Sequence, residues 1–138
     1  MGFTKRKKTD QNNTDCGIWV SLNTEVEKMN KKQKILIVLG SPRKKGNSAI
    51  LSEKVREGAE SGGADVQTIY LNALKMKPCQ SCQKCQKQDI KGCAIQDDMA
   101  ILYPLVKESD TIVFASPIYW FNISAQTKIF IDRLYAVG

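Results

Sequence analysis

The chain has 138 residues, of which 42% are hydrophobic and 25% charged, enough for one domain with a real core and too few for two. Its formal charge of +7 does not mark a nucleic-acid binder: residues 1–34 hold eight basic and four acidic residues and carry +4 of it, and no Lys/Arg stripe with interleaved aromatics forms elsewhere. The strongest apolar run, 35–39, is far below the roughly 20 residues of a membrane span, and no signal-like apolar region opens the chain, so a soluble cytoplasmic protein is expected.

Residues 1–33 are polar, include the basic run 5–8 and lack sustained periodicity, which predicts a mobile basic extension. Met29 stands just before the first strand, an ordinary place for such a domain to begin. The first 28 residues are therefore expected to be an extension or the product of a misassigned start, which the intact mass of the native protein decides.

Beyond it, strands and helices alternate. The β-branched and Leu-rich run Lys34–Leu39 predicts a strand, residues 40–46 a turn, and 48–61 a helix with Ile50, Leu51, Val55 and Ala59 at near-helical spacing and Gly62 and Gly63 as its stop. Residues 66–71 read as a second strand. After the loop 78–93, Asp97 and Asp98 suit the start of a helix carrying Met99, Leu102, Leu105 and Val106. Thr111–Ala115 is a third buried strand, 116–122 a loop, and Ser124 caps a last helix reaching about residue 135. Such alternation predicts a doubly wound α/β domain with a parallel sheet of three strands.

Within the 78–93 loop, Cys79, Cys82, Cys85 and Cys93 form a C-x2-C-x2-C-x7-C run. Five cysteines without an export signal point to reduced thiols or metal ligands, with Cys16 a spare. A [4Fe-4S] cluster is the leading reading. A structural zinc site competes, although zinc sites more often pair two separated C-x2-C or C-x2-H steps and the chain has no histidine; a loop of unliganded thiols is the third reading. The bacterial ferredoxin run has a three-residue last gap followed by proline, whereas here the gap is seven and Ala94 follows, so the match is to spacing class.

Directly after the first strand, residues 40–48 (Gly-Ser-Pro-Arg-Lys-Lys-Gly-Asn-Ser) lead into a helix, where backbone N–H groups and the helix dipole favour a phosphate. Ser41, Asn47 and Ser48 can donate side-chain hydrogen bonds there, and Arg43 adds charge. The loop lacks the Gly-Lys-Ser/Thr of a Walker A motif and the G-x-G-x-x-G of a dinucleotide fold, and no acidic residue closes the second strand for a ribose, so a mononucleotide phosphate is favoured over a merely solvated basic loop. A second loop leaves the third strand through Pro117, Ile118, Tyr119, Trp120, Phe121 and Asn122. Pro117 stiffens the turn, and Tyr119 and Trp120 offer flat apolar faces for a ligand, with core or interface packing the alternative. Asp132 and Arg133 read as a structural pair or interface contact, and Tyr103 and Tyr135 as helix packing. With no histidine, no nucleophile beside an oriented base is evident, which argues against hydrolysis.

The pieces 40–43 and 46–48, the loop 116–122, Lys128 and the pair Asp132-Arg133 together resemble the NADPH-dependent FMN reductase branch of the flavodoxin-like superfamily over residues 34–138. With the cysteine run included, the chain is most similar to the iron-sulfur flavoproteins of that branch. The resemblance implies a flavodoxin-like doubly wound sheet, FMN held by Ser41, Arg43, Gly46, Asn47, Ser48 and residues 117–122, and a [4Fe-4S] cluster on Cys79, Cys82, Cys85 and Cys93. It implies an oxidoreductase passing electrons between NAD(P)H or a reduced carrier and an acceptor, as a homo-oligomer (dimer or tetramer) with small-molecule or redox-protein partners and neither nucleic acid nor membrane. Such chemistry needs no side-chain base, because flavin and cluster carry it. Two rivals stand beside it: an NAD(P)H-dependent FMN or quinone reductase without a cluster, and a zinc-stabilised interaction module without turnover. A flavodoxin-like sheet has five strands, so the resemblance further implies that the C-terminal part of the domain is missing after the third strand and its helix.

Overall fold

In the computed structural model, which describes residues 31–87 and 92–138, the run Lys34–Leu39 forms the central strand β1. Its continuous apolar composition suits a strand covered on both faces, and Leu36, Ile37 and Val38 are fully buried. It pairs in parallel with β2 (Asp65–Tyr70) on one side and with β3 (Thr111–Ala115) on the other, giving the order β2-β1-β3. Helices α1 (Asn47–Ser61), α2 (Met99–Glu108) and α3 (Ala125–Arg133) connect or follow the strands. This is the doubly wound, flavodoxin-like α/β arrangement expected from the alternation, and it occupies Lys32–Gly138. The extension expected over 1–33, apart from its last three residues, together with Met29 and Cys16, lies outside the described residues.

The core lies on one face of the sheet, where Leu36, Val38, Ile69 and Leu71 meet Met99 and Leu102 of α2 and Phe130 of α3. Burying each such side chain contributes on the order of 1.5–3 kcal/mol. The pattern Met99, Leu102, Leu105, Val106 is the packed stripe of α2 as expected, although Pro104 interrupts its backbone ladder. Gly63 takes the left-handed conformation (φ +87) that ends α1, and its N–H donates to the Glu60 carbonyl at 2.9 Å.

Two features go beyond what the sequence pattern specified. The apolar spacing of α1 does not mark its buried face: Leu51 is 66% exposed, Ile50 and Val55 are also exposed, and Ser52 is the residue buried against the sheet. A small residue there lets the helix lie close to the strands, and the described elements leave the larger side chains uncovered. The 116–122 loop is also ordered further than expected. It contains a hairpin in which β4 (Ile118–Tyr119) pairs antiparallel with β5 (Asn122–Ile123), with Trp120 and Phe121 at the turn.

Candidate functional site

The order β2-β1-β3 puts a topological switch point between β1 and β3, since the chain leaves β1 toward one neighbour and returns on the other side. Ligands of open parallel sheets bind outside the strand C-termini at such a point. Both loops singled out from the sequence depart there, and they are joined. The Gly40 N–H donates to the Ala115 carbonyl at 2.9 Å, the Ser124 Oγ donates to the Gly40 carbonyl at 2.7 Å, and the Ser124 N–H donates to Ser116 Oγ at 3.0 Å. Ser124 also accepts from the Thr127 N–H, so it caps α3 as its sequence position foretold. Gly40 is required for this closeness, because a Cβ there would overlap the Thr127 side chain and stand 3.0 Å from Ser124 Oγ.

The first loop is shaped as an anion cradle. Ser41 is buried, and its Oγ accepts from the Arg43 N–H at 3.1 Å, folding the chain back on itself. Gly46 is extended at the N-cap of α1, where no side chain caps the helix and no acidic residue occupies its first turn. The start of this 15-residue helix, the positive end of its dipole, is thus left without a side-chain cap or a counter-charge of its own. Arg43 and Asn47 are exposed and Ser48 half-buried beside them. Tyr70, at the end of β2, was not singled out from the sequence. Its hydroxyl donates to the Pro42 carbonyl at 2.6 Å and its ring lies 5.3 Å beneath the Lys44 ammonium, so it braces the cradle from the neighbouring strand.

The second loop presents the aromatics. Trp120 and Phe121 are 93% and 92% exposed and pack edge-to-face on each other at 5.8 Å. Both sit at positive φ (+46 and +67), a turn that ordinarily takes Asn-Gly. Two bulky residues held in the left-handed region store strain of the kind that clusters at functional sites. Ile118, Tyr119 and Asn122 are exposed alongside them, and Pro117 is half-buried at the hairpin's base. A helix start without a side-chain cap and an open aromatic hairpin are thus joined through Gly40 and Ser124 at the switch point.

The residue profile of the NADPH-dependent FMN reductases matches positions 33–137. The chain belongs to this family. Similar proteins include an iron-sulfur flavoprotein of Archaeoglobus fulgidus, 39% identical over 102 residues covering 73% of this chain and 45% of that protein. An iron-sulfur flavoprotein of Methanosarcina thermophila is 35% identical over 100 residues, covering 72% of this chain and 51% of its own. A Bacillus subtilis protein, YwqN, is 32% identical over 100 residues with the same shares, and its name describes it, provisionally, as an NAD(P)H-dependent FMN-containing oxidoreductase. The chain spans about half the length of these curated relatives.

The family member's cysteine loop starts from the same sheet edge, after β2 and a short helical turn at Leu71–Ala73. Cys79 and Cys82 are exposed, and Cys85 and Cys93 are half-buried. Cys79 borders a cleft with Ile131, Asp132 and Tyr135, whereas Cys85 and Cys93 line another, of about 760 Å³, with Tyr103 and Pro104. Among the described residues no three Cys, Asp or Glu side chains stand close enough to share a metal. The donor set still suits an iron-sulfur cluster: four thiols lie on one loop whose two ends are fixed together.

Those ends are fixed by Arg133, expected to form a structural pair with its neighbour Asp132 or an interface contact. Asp132 instead pairs with Lys128 one turn back, and the fully buried Arg133 side chain grips Asp97 with both amino groups, at 2.7 and 3.1 Å. Burial alone would push the Asp97 carboxyl up, but the Arg133 guanidinium and the amides of Lys77 and Met99 outweigh it and hold it below the usual carboxylate range. Tyr103 packs against the core as expected, with its hydroxyl buried and without a hydrogen-bond partner among the described residues. Burial pushes that phenol up, Arg133 opposes the shift, and Cys93 adds to it. Tyr135 is not simple packing: its hydroxyl donates to Gln83 and its carbonyl accepts from Gln86, both within the cysteine loop.

Proposed function

We propose that this chain is the FMN-binding part of an oxidoreductase of the iron-sulfur flavoprotein type. The observation that carries the reading is the joining of an uncapped helix N-terminus to a strained, exposed aromatic hairpin at the switch point, through the Ser124–Gly40 hydrogen bond of 2.7 Å. Ser41, Arg43, Gly46, Asn47 and Ser48 would hold the phosphate. Residues 117–122 would cover the ring, with Tyr119 and Trp120 against its faces and backbone groups on its polar edge. Cys79, Cys82, Cys85 and Cys93 would ligate a [4Fe-4S] cluster, for which the names of the archaeal relatives are the support.

When bound, FMN takes up the two electrons of a hydride from NAD(P)H, and a cluster exchanges electrons singly with a redox-protein donor or acceptor. The chain's own contribution is to fix the phosphate, to exclude water from one ring face and to set the spacing between the two groups. A homo-oligomer, dimer or tetramer, working in the cytoplasm with small-molecule or redox-protein partners and with neither nucleic acid nor membrane, completes the proposal. The domain limits proposed are an extension over 1–33 and the FMN-binding domain over 34–138, with the cysteine loop at 78–93.

A second reading, a flavin reductase without a cluster, is favoured by the separation of the thiols between two clefts and by the name of the Bacillus relative. Anaerobic purification followed by flavin, iron, sulfide and zinc quantification on one sample separates them. Flavin with iron and sulfide supports the first, flavin alone the second, and a preparation that holds zinc and takes up no FMN rejects both.

A further inference from the structure

We infer that Arg133 is the positioning residue of the cysteine loop, a latch that closes the neck of that loop before any metal binds. The inference rests on the reading that the loop holds a cluster, and it concerns how the four thiols are kept in one place.

The neck is built from a few long-range bonds. Arg133 Nη1 donates to the Lys77 carbonyl and to Asp97 Oδ2, both at 2.7 Å, and Nη2 donates to the Ile95 carbonyl at 3.4 Å and to Asp97 Oδ1 at 3.1 Å. Lys77 is the residue before Pro78 and Cys79, while Ile95 and Asp97 follow Cys93. One guanidinium therefore ties together the two points between which all four cysteines lie. The aspartates complete the closure: the Lys77 N–H donates to Asp97 Oδ2 at 2.8 Å, and the Lys75 N–H donates to Asp98 Oδ2 at 2.7 Å. None of these bonds uses a cysteine, so the closure spends none of the four thiols.

The guanidinium is also the neighbour of Tyr103, whose buried hydroxyl has no hydrogen-bond partner among the described residues and which lines one cleft with Cys93. A thiolate ligand at Cys93 would be an acceptor for that hydroxyl. The geometry thus points to Arg133 acting on the cluster site by closing the loop, without being a ligand itself.

The test uses the full-length FMN-loaded protein with R133M, R133K and D97N, and with F130L as a core variant on the same helix matched for lost thermal stability. Amide hydrogen exchange at Lys77 is followed in the metal-free protein, and iron and sulfide per FMN after anaerobic reconstitution. R133M is expected to speed exchange at Lys77 by at least about tenfold and to lower iron uptake several-fold with FMN retained, R133K recovering part of both. Should R133M not fold, R133K and D97N carry the same comparison. Unchanged Lys77 exchange overturns the latch, and so does F130L reproducing both losses, since the role would then be general stability. A wild-type protein that takes up no iron rejects the cluster reading, while Lys77 exchange still decides whether Arg133 closes the neck.

Discussion

Ser124 and Gly40, 84 residues apart in sequence, are joined by a buried hydrogen bond of 2.7 Å that fixes the end of β1 against the start of α3. The same Oγ lies 2.9 Å from Thr127 Oγ1 and accepts from the Thr127 N–H at 3.4 Å, so one hydroxyl serves as helix cap and as tie between the two proposed flavin loops. S124A is expected to cost about 1–3 kcal/mol in chemical denaturation, combining loss of the cap with an unsatisfied carbonyl at Gly40. It should also weaken FMN binding in fluorescence titration. A variant as stable as wild type would show that water replaces the tie.

The packing on Gly40 makes a paired prediction. G40A drives a methyl into the Thr127 hydroxyl and close to Ser124 Oγ. Overpacking of this kind costs about 1–3 kcal/mol. T127A removes the overlapping oxygen, so G40A/T127A should be less destabilised than the sum of the single variants. Strict additivity in this cycle would mean that the backbone shifts instead.

Asp97 gives stability a pH dependence whose sign follows from its lowered pKa. A folded-state carboxyl below its unfolded value of about 3.9 contributes stability that is present above that value and is lost as pH falls through the lower, folded one. D97N should therefore flatten the acid side of the stability curve. At pH 7 it should cost about 3–5 kcal/mol, because the Arg133 charge remains buried without its partner. Unfolding by urea at pH 7 and pH 3 measures both.

Most of the frame could be read locally. The unbroken run 35–39 announced a strand, Ser124 announced a cap, and Met99, Leu102, Leu105 and Val106 announced the helix α2 whose packed stripe they form. What local pattern missed depends on distant partners. Arg133 finds Asp97 across 36 positions while its sequence neighbour Asp132 turns to Lys128. The spacing of the α1 stripe announced a helix and not its buried face, since spacing records only that apolar residues share a face, and Ile50, Leu51 and Val55 are exposed. The hairpin was hidden for the opposite reason: Trp-Phe contradicts the turn chemistry that normally signals one, and such local contradictions are expected at functional sites.

Tyr103 separates a stabilising change from a functional one. Its hydroxyl is buried without a partner among the described residues, so Y103F should leave the metal-free protein as stable or raise its stability by about 1 kcal/mol. If a cluster is held by Cys93, loss of a donor beside that ligand should lower its reduction potential, since hydrogen bonds to the sulfurs help to set it. Spectroelectrochemical titration of the reconstituted protein reads this directly, and an unmoved potential would remove Tyr103 from the site.

The hairpin tip offers the sharpest contrast between stability and binding. Trp120 and Phe121 hold the two positive-φ positions of a two-residue turn and bury almost none of their surface. Replacing them by Asn and Gly, the pair this turn prefers, should relieve strain on the order of 1–3 kcal/mol per residue, offset by loss of their edge-to-face contact, worth about 0.5–1.5 kcal/mol. W120N/F121G is thus expected to be more stable than wild type, by about 0.5 kcal/mol at the least, and to bind FMN at least about tenfold more weakly, because the flat faces proposed to cover the ring are gone. Thermal denaturation and flavin titration on the same preparation check the two halves. An FMN affinity equal to wild type would take the hairpin out of the flavin site, and a loss of stability would mean that the aromatic pair supports the turn it distorts.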